Sequence, residues 1–175
     1  RTRTIDRMSP HLVLWLVSGL CVAVPATAAA QGRPPRPKVV DIASSAIDLV
    51  PGRTAPAVVT VVVKKGFKVQ ANPPSEGLIA TTLTLEPSEG LFYGPPVYPK
   101  SKTFTLEGIG DLLVYDGTFT ITLPVSAARN AVPGARTLTG TLRYQACDDT
   151  TCLLPINAPV TIDVRIAAIS QKRRP

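Results

Sequence analysis

From residue 39 onward the chain is a series of short β-prone runs, none long enough for a helix, each cut off by turn residues. Val58 to Val63 is almost wholly β-branched. Leu78 to Leu85 sets Leu83 and Leu85 against Thr82 and Thr84, Phe119 to Leu123 alternates with Thr118, Thr120 and Thr122, Thr137 to Tyr144 alternates again, and Val160 to Ile166 closes the series. Alternation at period two marks strands with one face buried. Pro73-Pro74, Pro95-Pro96, Asp116-Gly117, Pro133-Gly134 and Asp148-Asp149 punctuate the runs. Many short strands with regular turns predict an all-β antiparallel β-sandwich. Asp116-Gly117 between two apolar runs predicts a hairpin turn, and Ser126 to Ala131 is the one segment expected to make a short helical turn. No internal repeat is visible.

The first thirty residues do not fit this pattern. Arg1, Arg3 and Arg7 precede an apolar run from Leu12 to Val24, followed by Ala26, Thr27, Ala28, Ala29 and Ala30. A basic start, a short apolar stretch and a small-residue site predict a secretory signal peptide over 1–30, cut after Ala28 or Ala30, with Met8 as candidate initiator. The run is short for a membrane span, which needs about 20 residues. Leu20 is too bulky to precede a lipidated Cys21. Residues 31–38 (Gln-Gly-Arg-Pro-Pro-Arg-Pro-Lys) read as a Pro-rich basic linker, residues 39–168 as the domain, and 169–175 as a basic tail.

Loss of the leader removes His11, Trp15, Met8 and Cys21, so the exported part holds no histidine. Ser-His-Asp and Cys-His nucleophiles are thereby excluded, as are His-ligated metal sites. No cofactor or metal is expected. The net charge of +7 falls to +5, because 1–30 holds three basic residues and one acidic. Between 39 and 171 stand ten basic and eleven acidic residues, and the rest of the positive charge lies in Arg33, Arg36, Lys38, Lys172, Arg173 and Arg174. A near-neutral fold with solvated basic ends is not a nucleic-acid binder. The carboxylates argue against hydrolysis too, since Asp148 and Asp149, adjacent on the chain, are poorly arranged to face each other across a substrate.

Cys147 and Cys152 remain, in Tyr144-Gln145-Ala146-Cys147-Asp148-Asp149-Thr150-Thr151-Cys152-Leu153-Leu154-Pro155. Export places them in an oxidising compartment. A hairpin or loop between them brings the sulfurs within bonding reach. Closing so small a ring stabilises a fold by about 2 kcal/mol, and a domain of this length buries a core without it. The spacing is neither a zinc motif nor C-x2-C. Asp148 and Asp149 disfavour a thiolate, so the pair is better suited to being attacked as a disulfide than to attacking. On these local features a structural staple and a redox centre stand equally open.

Tyr144-Gln145-Ala146-Cys147, a short polar loop, Cys152 and a following Pro155 resemble the N-terminal periplasmic domain of the thiol:disulfide interchange protein DsbD, a family also met as a DsbC-type disulfide bond corrector domain. Gly66-Phe67-Lys68-Val69-Gln70-Ala71-Asn72-Pro73-Pro74 is similar to its early strand motif, and Phe92-Tyr93-Gly94 before Pro95-Pro96 to its cap loop. The resemblance covers about 39–168. It implies an immunoglobulin-like sandwich and a Cys147–Cys152 pair cycling between dithiol and disulfide, with Cys152 engaged in the mixed disulfide. It also implies that Phe92, Tyr93 and Gly94 cap the pair. Electrons would pass between thioredoxin-like periplasmic partners, toward disulfide correction or cytochrome c maturation. Near the pair it implies Tyr144, Gln145, Asp148 and Asp149, with Lys68 and Gln70 where some members carry tyrosines. Gly90 and Leu91 stand where described members carry acidic residues. With no transmembrane segment or thioredoxin domain following, the expectation is a stand-alone monomeric domain in the periplasm. The alternative is a non-catalytic interaction module with a structural disulfide.

Overall fold

The computed structural model describes residues 37–168; the expected signal peptide, nearly all of the linker and the basic tail lie outside the described residues. Twelve strands make up the described part: β1 (Val40–Ser44), β2 (Ile47–Leu49), β3 (Thr54–Val63), β4 (Lys68–Gln70), β5 (Thr82–Leu85), β6 (Leu91–Tyr93), β7 (Lys102–Leu106), β8 (Gly110–Tyr115), β9 (Thr118–Ala127), β10 (Gly134–Tyr144), β11 (Ala146–Cys147) and β12 (Ile156–Ile166). They form three four-stranded sheets, ordered β1-β3-β9-β6, β2-β12-β10-β5 and β11-β4-β8-β7. Every pairing is antiparallel except that of β2 with β12.

The long strands follow the alternation of their sequence. In β9, Phe119, Ile121, Leu123, Val125 and Ala127 are buried, and the intervening Thr and Pro face away. Val59 pairs with Ile121 and Val61 with Phe119 in the first sheet, while Leu138 pairs with Ile162 in the second. One cluster of buried side chains draws on both sheets. Each fully buried Leu, Ile or Val contributes roughly 1.5–3 kcal/mol. Gly140 in β10 permits a tight crossing, because a Cβ there would collide with the Thr84 carbonyl oxygen of β5.

Three local expectations are corrected. Asp116-Gly117 does not make a hairpin, because β8 belongs to the third sheet and β9 to the first. The turn is real, with Gly117 at φ 60°, but β9 finds its partner in the β-branched run of β3. The hairpin nearby is β7–β8, from Leu106 to Gly110. Of Ser126 to Ala131, Ser126 and Ala127 continue β9 and pair with β6, and only the end forms a single turn, closed by Ala131 N donating to Ala128 O at 3.0 Å. Of Leu78 to Leu85 only Thr82–Leu85 is strand; the residues before it are held by side chains of the site.

Candidate functional site

Alternation gives the third sheet two different faces. In β4, Val69 points into the main core, whereas Lys68 and Gln70, on either side of it, belong to the opposite face. Cys147 of β11 pairs with Lys68. On this face Leu106 of β7, Leu112 and Val114 of β8 and Cys147 form a second, smaller apolar cluster, with Leu78, Phe104 and Cys152 packed against it. The cysteine site is therefore a separate apolar centre on the side of the third sheet away from the main core.

Cys147 and Cys152 are joined by a disulfide, with Cα atoms 3.9 Å apart. They oppose each other in a tight hairpin whose hydrogen-bonded rungs lie on either side: Asp148 N donates to Thr151 O at 2.9 Å, and Leu153 N to Ala146 O at 2.7 Å. The Asp148 carboxylate organises the turn by accepting from Thr150 N, Thr150 Oγ1 and Thr151 N, each at 2.8 Å. The Thr150 hydroxyl bond, then the two backbone bonds, hold the Asp148 carboxyl below its usual pKa. The two cysteines differ in access. Cys147 is fully buried and Cys152 is partly exposed.

The residues around the pair act as braces. Gln145 Oε1 accepts from Ile79 N at 2.8 Å and its Nε2 donates to Leu153 O at 3.1 Å, so one amide ties the 75–81 segment to the residue that follows Cys152. Lys68 Nζ lies 2.8 Å from Asp149 Oδ1 and 3.8 Å from the centre of the Phe104 ring. Asp149 is thus paired with a cation, which reduces the bias against a thiolate expected from the sequence. Gln70 is fully buried, and its Nε2 donates to Cys147 Sγ at 3.4 Å. Tyr144 is buried in the main core, away from the small cluster. Its burial raises the phenol pKa, a hydrogen bond with the Val39 backbone opposing part of that.

The expected cap residues belong to the first sheet. Phe92 and Tyr93 form β6, paired with Ser126 and Val125 of the first sheet. Gly94 N donates to Pro124 O at 2.8 Å, and a Cβ on Gly94 would collide with Pro124 Cγ, so this glycine is needed for strand approach. Phe92 is 62% exposed. The aromatic packed with the disulfide cluster is Phe104, joined by Leu78. β6 is held in register with β9, and the third sheet carries apolar cover of its own from β7. Sequence reasoning missed both residues, although the alternation Thr103-Phe104-Thr105-Leu106 marks Phe104 and Leu106 as sharing a face. Among the described residues no group of three His, Cys, Asp or Glu is placed to hold a metal ion, and no helix is long and apolar enough to cross a membrane.

An all-β sandwich with a disulfide on an outlying sheet defines a class of small immunoglobulin-like domains that carry one cysteine pair. The family described as thiol:disulfide interchange protein DsbD, N-terminal, matches residues 36–163, and the chain belongs to it. That family takes part in thiol:disulfide exchange with partners. Among solved structures, the N-terminal periplasmic domain of ScsB from Proteus mirabilis is 15% identical with a TM-score of 0.51, covering 74% of this chain and 47% of its own. This chain thus spans about half of that one, and the likeness shows the fold. The DsbD N-terminal domain of Neisseria meningitidis in the reduced form is 20% identical with a TM-score of 0.43, covering 62% of this chain and 77% of its own. A complex of the DsbD and PilB N-terminal domains from the same organism aligns at 17% identity with a TM-score of 0.40, covering 61% and 73%. No curated protein sequence matches the chain.

Proposed function

We propose that this chain is a periplasmic thiol:disulfide exchange protein that passes electrons between thioredoxin-like partners through Cys147 and Cys152. Family membership supports exchange chemistry, and one observation supports its direction: Cys152 is partly exposed while Cys147 is buried. Exchange needs a thiolate to reach one sulfur along the S–S axis. An incoming partner thiolate attacks Cys152 Sγ and the Cys147–Cys152 bond breaks. Cys147 leaves with the electron pair and takes up a proton. The partner's second thiolate then attacks the mixed disulfide and releases Cys152, leaving the domain as a dithiol and the partner as a disulfide. The reverse sequence hands two electrons to an acceptor. In this reading Leu78 and Phe104 shield the bond from stray thiols, Gln145 and Asp148 keep the hairpin in shape, and Lys68 with Asp149 forms its charged rim. Residues 1–30 serve export, and the acceptor lies in disulfide correction or cytochrome c maturation.

The test is capture. A thioredoxin-fold protein carrying one active-site cysteine as its thionitrobenzoate adduct is mixed with the Cys147→Ala and Cys152→Ala variants. Release of the yellow leaving group from the Cys147→Ala form, at least tenfold faster than from Cys152→Ala, is the expected result. Equal rates would overturn the assignment of Cys152.

The complete burial of Cys147 among apolar side chains favours a second reading, a non-catalytic interaction module with a permanent clip. A reduction potential below about −300 mV would place the bond with inert structural disulfides and decide for that reading.

A further inference from the structure

One polar side chain that neither the turn nor the braces explain reaches the small apolar cluster at Cys147. Gln70 is fully buried on the face of β4 that carries the cysteines. Its backbone is fixed on both sides: Gln70 N donates to Gln145 O at 2.9 Å, and Gln70 O accepts from Thr81 N at 3.3 Å and Thr81 Oγ1 at 2.5 Å. These bonds fix the backbone at Gln70 and leave its carboxamide free to turn about its own bond. Nε2 reaches Cys147 Sγ at 3.4 Å, while Oε1 has no hydrogen-bond partner.

This arrangement suits the reduced pair better than the oxidised one. A disulfide sulfur is a weak acceptor, and a buried carbonyl without a donor is disfavoured. Once the S–S bond opens, Cys147 is a thiolate enclosed by Leu106, Leu112 and Val114, where loss of solvent disfavours the charge. The Gln70 N–H then meets a charged acceptor, and such hydrogen bonds are about twice as strong as neutral ones. When Cys147 takes up its proton, the S–H can donate to Oε1 after a rotation of the amide. One group of the carboxamide thus serves each form of the reduced sulfur, and only the weaker contact is made in the disulfide.

We propose that Gln70 is a further catalytic residue of the exchange reaction, one that stabilises Cys147 as the leaving thiolate and shifts the pair toward the dithiol. The proposal rests on the pair being redox-active and assigns the chemistry of its buried sulfur.

Gln70→Met keeps the length and volume of the side chain and removes both polar groups. Equilibrated in a glutathione buffer, the variant should be about fivefold harder to reduce than the parent, the loss expected for one neutral hydrogen bond to the Cys147 S–H of the dithiol. For a two-electron couple that is a potential about 20 mV more negative. In the Cys152→Ala background, the absorbance of Cys147 thiolate at 240 nm should appear at higher pH when Gln70→Met is added than when Gln70 is kept. A folded Gln70→Met protein whose equilibrium constant and Cys147 titration both stay within twofold of the parent would overturn the proposal. Failure of exchange itself would instead show as a parent disulfide inert to glutathione. If the Gln70→Met variant does not fold, the parent protein still decides the matter. The Gln70 side-chain amide resonances must shift between oxidised and reduced samples, and unchanged resonances refute the contact.

Discussion

Reduction of the disulfide should weaken this domain without unfolding it, and the expected size follows from the ring. Cys147 and Cys152 are separated by five positions, and the loop-entropy relation gives about 2 kcal/mol for so small a ring. The hairpin has other supports that survive reduction: the two backbone rungs, the threefold acceptance by Asp148 and the double tie through Gln145. A domain of about 130 residues is stable by roughly 7–20 kcal/mol at 0.05–0.15 kcal/mol per residue. The reduced form therefore keeps more than half of its stability. Urea unfolding followed by far-ultraviolet circular dichroism, with and without a strong phosphine reductant, should give two cooperative transitions. With a slope near 2 kcal/mol/M the midpoints should differ by about 1 M. A loss above about 4 kcal/mol, or a reduced form without a cooperative transition, would refute the reasoning. The bond would then be a staple, and a carrier that unfolds at each turnover would be untenable.

Gly140→Ala should destabilise the protein by about 1–3 kcal/mol, because the added Cβ collides with the Thr84 carbonyl oxygen and meets Leu85 Cδ2 at 2.7 Å; an unchanged urea midpoint would mean that β5 yields freely. The Asp148 carboxyl has a folded-state pKa below its ordinary value of 3.8, so its contribution to stability is present above that value and is lost as pH falls through the folded pKa. Asp148→Asn should accordingly flatten the acid limb of a stability–pH curve below about pH 4, and an acid limb identical to that of the parent would show that the turn does not depend on the charge.

The sandwich was legible because its long strands expose one face and bury the other. The alternation in Phe119 to Leu123 and Thr137 to Tyr144 is the direct imprint of that geometry. A turn signal, by contrast, carries no information about which strand comes next to which, and Asp116-Gly117 was misread for that reason. Partner choice is non-local: β9 pairs with β3 across more than fifty positions. The third sheet was the least legible. β4 has three residues and β11 two, too few for any period to appear. The cysteine pair was visible by residue type, and Gln70 and Lys68 only by resemblance. The contact from Gln70 to Cys147 spans 77 positions, and nothing local announces it. Phe104 was hidden differently: it lies in a strand of ordinary alternating composition, and only the pairing of β7 with β8 turns its face toward the disulfide.

The division of the core into two clusters bears directly on how an exchange protein could work. If the disulfide were part of the main core, reaching its sulfur would require separating the two large sheets, which bury most of the Val, Leu and Ile side chains. It lies instead against four buried residues, its own Cys147 included, and is covered by Leu78 and Phe104. Leu78 belongs to the segment before β5 rather than to a strand, and Phe104 lies on β7, at the free edge of the third sheet. Opening that cover disturbs an edge and a loop, the parts of a β-protein whose local opening is least costly. Thiol access and global stability are thereby separated by the alternation in β4, where Val69 serves the main core and its two neighbours face the sulfur.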